Sequence, residues 1–292
     1  MRRHLLRALL TAALFAPMAL TAEIRESHAD AVGFAVLPCT NIEATFRKFY
    51  PLVEYVKKST GITLKLVVPA DLAEFETLLK NGDVDVALQD PHTYARLSRS
   101  FDKAALLGTV ATNGTRGQSA VVVVRQDSGV TTLSQLREGQ VLFGPRTSTA
   151  KWVAARLLFE SAGIDVDRDL RAVNGGCCED IAFAVAIRSV DAGVVCEHFA
   201  GLHPDKQKDL GVDMRALKVI ARTRTFPTRV LAARLGAPRE TVSALMAALL
   251  RLDRSVADHA RILAAAEVLA FERTSEAEYL RSLRLPVTER LR

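Results

Sequence analysis

The feature that most constrains this chain is the alternation it sets up between Asp30 and Tyr94. An apolar strand-like run ends at Leu37. A helix-period stretch spans Ile42 to Thr60, with Phe46, Phe49, Leu52, Val53 and Val56 on one face, and Gly61 closes it. A second strand covers Ile62 to Val68. A helix follows from Leu72 to Lys80, capped by Asp71 and ended at Asn81-Gly82. A third strand lies within Asp83 to Leu88. Strand–helix–strand repetition of this kind predicts a parallel sheet with helices on both faces, hence an α/β fold. In open α/β sheets, ligands bind beyond the carboxyl ends of the strands. The residues after each strand are therefore the candidate functional residues.

The alternation breaks at Phe101. Ala104–Thr109 and Ser119–Arg125 read as two strands joined by the polar run Asn113 to Gly117, where the chain is expected to cross into a second lobe. Val141–Gly144 reads as a strand feeding a helix from Lys151 to Ala162. Asn174 to His198 reads as a glycine-bearing loop, an Ala-rich helix and a strand, Ala192 to Val195, that ends on Cys196. If that strand and the chain before the helix are parallel neighbours, the sulfur groups all lie at carboxyl ends. Val219–Ala221 is another strand, Thr223–Pro227 a second crossing, and Val230–Arg234 strand or extended chain. Helices follow over about 238–254, 255–269 and 275–283. The expected organisation is a first lobe of residues 30–112 plus 226–292 and a second of 117–222.

Four strand ends carry polar or sulfur side chains: Cys39 with Thr40, His92-Thr93-Tyr94 after Asp90-Pro91, Thr147-Ser148-Thr149, and Cys177-Cys178-Glu179 with Cys196 and His198. Thr147-Ser148-Thr149 opens a helix. There the free backbone N–H groups and the dipole favour an anion, and plain N-capping is the competing reading. Four cysteines, Cys39, Cys177, Cys178 and Cys196, admit a disulfide or sulfur ligation.

Residues 1–22 have a basic start (Arg2, Arg3), a mostly apolar run from Leu5 to Leu20, and a small residue at Ala22. These are the parts of a secretory signal. Part of the formal charge of +6 lies in that segment, and the rest is scattered. The remainder is too small and too scattered to argue for nucleic acid. No nucleophile, base and orienting group occur at recognisable spacing, so the chain reads as a non-enzyme.

Val84-Asp85-Val86-Ala87-Leu88 with Asp90-Pro91-His92-Thr93-Tyr94, then Asp127-Ser128-Gly129-Val130, Leu133 to Leu136, Phe143-Gly144, Ser148-Thr149 and Val190-Asp191-Ala192-Gly193, resemble in order and spacing one family. It is the phosphate/phosphite/phosphonate periplasmic binding proteins of ABC importers. The resemblance implies a type II periplasmic binding fold. Two α/β lobes, joined by a two-crossing hinge at about 112–118 and 223–228, close on a small-molecule ligand. It also implies a monomeric periplasmic protein that delivers its ligand to an ABC permease, with no cofactor. A membrane sensor kinase is the alternative partner. Carried over by position, Tyr94, Ser148 and Thr149 hold the oxyanion, with Cys39, Thr40, His92, Thr93, Thr147, Cys178 and Glu179 lining the site. Phosphonate-binding members usually have an aromatic residue near position 39 and a histidine where this chain has Cys178, and Ala150 replaces a small hydroxyl residue.

Three readings of the sulfur stay open at this point. The first is an oxyanion site, with Cys177 or Cys178 joined to Cys196 in a disulfide. The second is a soft-metal or metalloid site made of Cys39, Cys178, Cys196 and His198. The third, thiol redox chemistry, lacks a Cys-x-x-Cys pair.

Overall fold

The computed structural model describes residues 31–38, 42–201, 211 and 213–283. The signal-like segment, Cys39 and Thr40 lie outside the described residues. Two sheets organise the rest. The first has the strand order Ala270–Arg273, Phe101–Val110, Val230–Arg234, Val86–Gln89, Val32–Val36, Leu64–Val67 and the second Leu217–Arg222, Ala120–Arg125, Ala192–Cys196, Gln140–Phe143, Arg171–Asn174.

The opening of the chain folds as its pattern dictates. β1 (Val32–Val36) leads into α1 (Ile42–Thr60), whose Phe49, Leu52, Val53 and Val56 are buried on one stripe. Gly61 takes the left-handed φ of 77° that turns the chain out of the helix. β2 (Leu64–Val67) follows. α2 (Leu72–Asn81) is capped by Asp71, which accepts from the Glu74 N–H at 2.8 Å, and ends at left-handed Gly82. β3 (Val86–Gln89) leads into α3 (Pro91–Leu97), with Pro91 in its first turn. β1 runs parallel to β2 and β3. Gly33 on β1 admits close packing, because a Cβ there would lie 2.0 Å from the Asp83 carbonyl oxygen.

β4 (Phe101–Val110) carries the chain to the first crossing, where β5 (Gly117–Gln118) pairs with β11 (Phe226–Pro227) of the second. Beyond it lie β6 (Ala120–Arg125), β7 (Gln140–Phe143) and a π-helical turn at Thr149–Ala154, which continues as α4 (Ala155–Ser161). Then come α5 (Val166–Asp169), β8 (Arg171–Asn174), α6 (Cys178–Ala186), β9 (Ala192–Cys196), α7 (Glu197–Ala200) and β10 (Leu217–Arg222). After the second crossing come β12 (Val230–Arg234), α8 (Arg239–Leu250), α9 (Ala257–Ala265), β13 (Ala270–Arg273) and α10 (Glu276–Leu283).

The sheets are mixed, which corrects the parallel sheet expected from the alternation. β12 is antiparallel to β3 and β4, and β6 is antiparallel to β9 and β10. The cause is topological. Strands such as β3 and β9 point their carboxyl ends at the other lobe. β6 and β12 are the strands that enter from the crossings, so each starts at that edge and runs away from it. β8 and β9 are not neighbours, because β7 lies between them and is parallel to both. Both ends still reach the same edge. The helix expected at about 255–269 is shorter, Ala257–Ala265, and Ala270–Arg273, just past its expected end, forms an unexpected strand paired with β4.

Each sheet is covered on both faces by apolar side chains. A further cluster joins the lobes: Val153 and Ala154 of the π turn pack with Phe226 of the crossing and Leu283 of α10. Among the described residues, no helix is long and apolar enough to cross a membrane.

Candidate functional site

The carboxyl ends of β3, β7 and β9 meet where the two sheets face each other. β3 delivers Asp90 and α3, and β7 delivers the loop from Gly144 to Ser148. Ser148 is the N-cap of the π turn, its Oγ accepting from the Lys151 N–H at 3.2 Å. The capping reading of that serine is thus satisfied. Thr149, fully buried, does something else: its Oγ1 accepts from the backbone N–H of His92 at 2.9 Å, across the lobes. Thr93 Oγ1 donates to the Thr147 carbonyl at 3.5 Å in the same seam.

Asp90 crosses the seam in the other direction. Its carboxylate accepts from Gln118 Nε2 at 3.1 Å and from the backbone N–H of Thr149, with Arg229 and Lys151 nearby. Burial pushes the Asp90 carboxyl up from its ordinary range, and those four groups oppose the shift. The first lobe thus lays a carboxylate on the helix start where the sequence reading places an oxyanion.

Lys151 is only 1% exposed, although it is a lysine. Its Nζ donates to the Gly176 carbonyl at 3.1 Å, and its stem runs against Gly144, where a Cβ would meet the Lys151 Cβ at 2.5 Å. The wide π turn and the missing side chain at 144 together admit it. Arg229, just ahead of β12, donates to the Ala266 carbonyl at 2.9 Å with its guanidinium 5.8 Å over the Phe49 ring. Sequence reasoning missed Lys151, Arg229 and Gln118 as members of this group. The local signals were the position of Lys151 two residues past Thr149 and that of Gln118 and Arg229 at the crossings.

Tyr94 is buried in the first-lobe core, against Phe101 and Tyr279, and its hydroxyl donates to Glu276 at 3.2 Å. Burial and the neighbouring Glu276 raise its pKa well above the ordinary phenol range. The structure therefore turns Tyr94 towards α10 and puts Asp90 at the Thr149 turn.

No disulfide joins Cys177 or Cys178 to Cys196, so the expected pairing is not formed. Cys177 Sγ turns to Asp180 at 3.0 Å, and burial together with that acid pushes its thiol up to about 12. Cys178 Sγ accepts from the Cys196 N–H at 3.2 Å. Hydrogen bonding from Cys196 lowers the Cys178 thiol to about 7 against the opposing effect of burial, and Lys151 adds to the lowering. His198 keeps solvent-exposed surface, yet crowding lowers its pKa, Glu267 opposes this, and Arg229 and Lys151 add to it. Glu179, in the first turn of α6, adds negative charge beside Cys178 and His198. Among the described residues no three His, Cys, Asp or Glu side chains converge on a metal position, so Cys178, Cys196 and His198 do not form the expected metal set there.

Beside the seam opens a cleft of about 590 Å³ that both lobes line. Leu37, His92 and Arg96 face Arg146, Thr147 and Trp152 across it.

A family model described as the periplasmic substrate-binding protein of phosphonate ABC transporters matches residues 34–279. Among solved structures, the chain is similar to a binding protein component of an ABC phosphonate transporter from Pseudomonas aeruginosa. The identity is 18%, the TM-score 0.73, and 89% of this chain and 91% of that one are covered. It is also similar to PhnD1 from Prochlorococcus marinus, solved in complex with methylphosphonate. There the identity is 15%, the TM-score 0.73, and the coverage 86% and 95%. A protein from Xanthomonas citri, solved bound to ATP, matches at 19% identity and TM-score 0.69, covering 87% of this chain and 94% of that one.

Proposed function

This chain belongs to the family of periplasmic substrate-binding proteins of phosphonate ABC transporters, and on that premise we propose that it captures a phosphate-, phosphite- or phosphonate-like oxyanion between its lobes and hands it to a membrane permease. Its work is binding and release, without a chemical step. Residues 1–22 serve as the export signal. Residues 30–112 with 226–292 and residues 117–222 move as the two lobes, hinged where β5 pairs with β11. The mature protein acts as a monomer and takes no nucleic acid.

One observation carries the ligand class. The Thr149 turn already receives an acidic oxygen acceptor, the Asp90 carboxyl group, from the opposite lobe. A backbone N–H at a helix start, the Gln118 amide, a buried ammonium and a guanidinium are the donor set that solvates a small oxyanion. His92 and Thr147 border the same place. The sulfur is reached from this set through Lys151, which favours the Cys178 thiolate and does not need a metal to do so.

Calorimetric titration of the purified mature protein with phosphate, phosphite and methylphosphonate tests the reading. Binding of at least one, weakened tenfold or more by Lys151→Met, is the expected result. No heat and no thermal shift with any of the three would remove it.

A further inference from the structure

The cleft beside the Thr149 turn is much larger than an inorganic oxyanion needs. Each water-sized heavy atom occupies roughly 30 Å³ in liquid. Five such atoms therefore fill about a quarter of 590 Å³. The rest falls in the range that holds a ligand of several more heavy atoms.

Its walls are cationic, and the cations are not equivalent. Arg96 pairs with Glu76 at 3.4 Å. Arg156 holds Asp167 through two hydrogen bonds of 2.8 and 2.6 Å. Arg146 differs. Its Nε donates to the neutral amide of Asn174 at 3.2 Å, and among the described residues it forms no ion pair. Two acids line the same cleft, and both are engaged: Asp71 caps α2, and Asp167 is taken by Arg156, although Arg146 is near enough to help hold the Asp167 carboxyl low. The Arg146 guanidinium lies 5.2 Å from the centroid of Trp152, a ring it shares with Arg156 at 5.1 Å. On the facing wall, His92 is 7% exposed, and its Nδ1 has no hydrogen-bond partner. A buried, unpartnered ring nitrogen in a cleft lining is a polar atom that a ligand would satisfy.

We propose that this cleft is a subsite for the organic substituent of the ligand, and that Arg146 there selects substituents ending in a carboxylate or similar acid. The substrate class is then an acid-bearing organophosphonate rather than inorganic phosphate. Arg146 meets the distal acid, and His92 Nδ1 meets a polar atom of the ligand. The inference rests on the oxyanion reading above and adds the part of the ligand that reading leaves open.

The test compares two phosphonates of similar backbone length, ethylphosphonate and 2-carboxyethylphosphonate, by calorimetry on the full mature protein, with phosphate and methylphosphonate as references. The carboxylated compound is expected to bind at least ~10-fold more tightly than ethylphosphonate, the size of a charge-assisted bidentate contact. In Arg146→Gln that ratio is expected to fall towards one. Trp152 is the single tryptophan of the chain, so its emission provides a second readout in the unaltered protein. It should shift with the carboxylated compound more than with ethylphosphonate. A ratio near one in the parent, or a ratio that Arg146→Gln leaves intact, overturns the subsite while tight methylphosphonate or phosphate binding keeps the oxyanion reading. Failure of every phosphorus compound to bind overturns both.

Discussion

Asp90 shows how a single side chain sets the terms for an anion site. Its carboxylate is held by Gln118 and the Thr149 N–H, and burial favours its protonated form. A carboxylate accepts a hydrogen bond from an oxyanion that carries a proton and repels one that does not. Hydrogen phosphonate qualifies, and sulfate at neutral pH does not. Asp90→Asn is therefore expected to raise sulfate affinity tenfold or more relative to methylphosphonate, measured by competitive calorimetry. An unchanged ratio would count against the contact. His92 supplies a stability prediction. Burial, with Arg96 beside it, lowers its pKa, so the folded protein holds it neutral. The unfolded chain binds the proton near the ordinary value of about 6.5. The contribution is present above that value and is lost as pH falls below it towards the folded pKa. Thermal melts from pH 7.5 to 5 should lose stability more steeply in the parent than in His92→Gln. The thiols separate in the same way. Iodoacetamide should modify Cys178 with a rate that climbs through about pH 7, a phase that Cys178→Ser removes, while Cys177, pushed up to about 12, stays unreactive there. The sequence made all three cysteines visible. It could not show that Cys177 faces Asp180 while Cys178 faces Cys196, because that choice depends on how α6 begins.

Among the elements, α1 and α2 were legible because each combines a helical apolar period with a local stop signal, at Gly61 and Gly82, whereas α3, only seven residues long and ending at Ser98 without such a signal, was not. The reversal of β6 and β12 was not legible. Apolar runs such as Ala120–Val124 look the same in either direction, and only the path of the crossings decides between them. The π turn was equally hidden, since Thr149 to Ala154 carries no residue that forbids an ordinary α-helix. Its consequence is the burial of Lys151 against Gly144. Adding a methyl group at Gly144 would drive a Cβ to 2.5 Å from the Lys151 Cβ, which is anchored near the backbone and cannot swing away. Gly144→Ala is expected to cost about 1–3 kcal/mol, the usual range for overpacking, read as a lower urea midpoint. It should also weaken oxyanion binding, because Lys151 is displaced. Gly163→Ala is the matched control for the urea measurement. Its site has no atom within 4 Å of the added Cβ, so whatever its φ of +74° costs is of backbone origin and not of overpacking.

Across the whole molecule, the lobes are joined by the crossings and by a seam, and one residue belongs to both. Gln118 lies in β5, and its Nε2 donates to Asp90 and to the Pro227 carbonyl of the opposite crossing, at 3.1 and 3.0 Å. The seam adds the bond from the His92 N–H to Thr149 Oγ1 and the apolar packing of Val153 and Ala154 with Leu283. These contacts form only when the lobes are together, so opening must break them as a set. A buried backbone N–H whose acceptor belongs to the other lobe reports that opening directly, because its exchange with solvent requires the seam to part. Thr149→Val keeps the shape of the side chain and removes the acceptor. Hydrogen exchange of the His92 amide should be slow in the parent and at least tenfold faster in Thr149→Val, while amides in β1 and β7 exchange alike in both. Saturating methylphosphonate should slow the His92 amide further in the parent, since a ligand held by both lobes disfavours the open state. If the His92 amide exchanges at one rate in parent, variant and ligand-bound protein, the seam is not what opens, and the motion must be sought at the crossings alone.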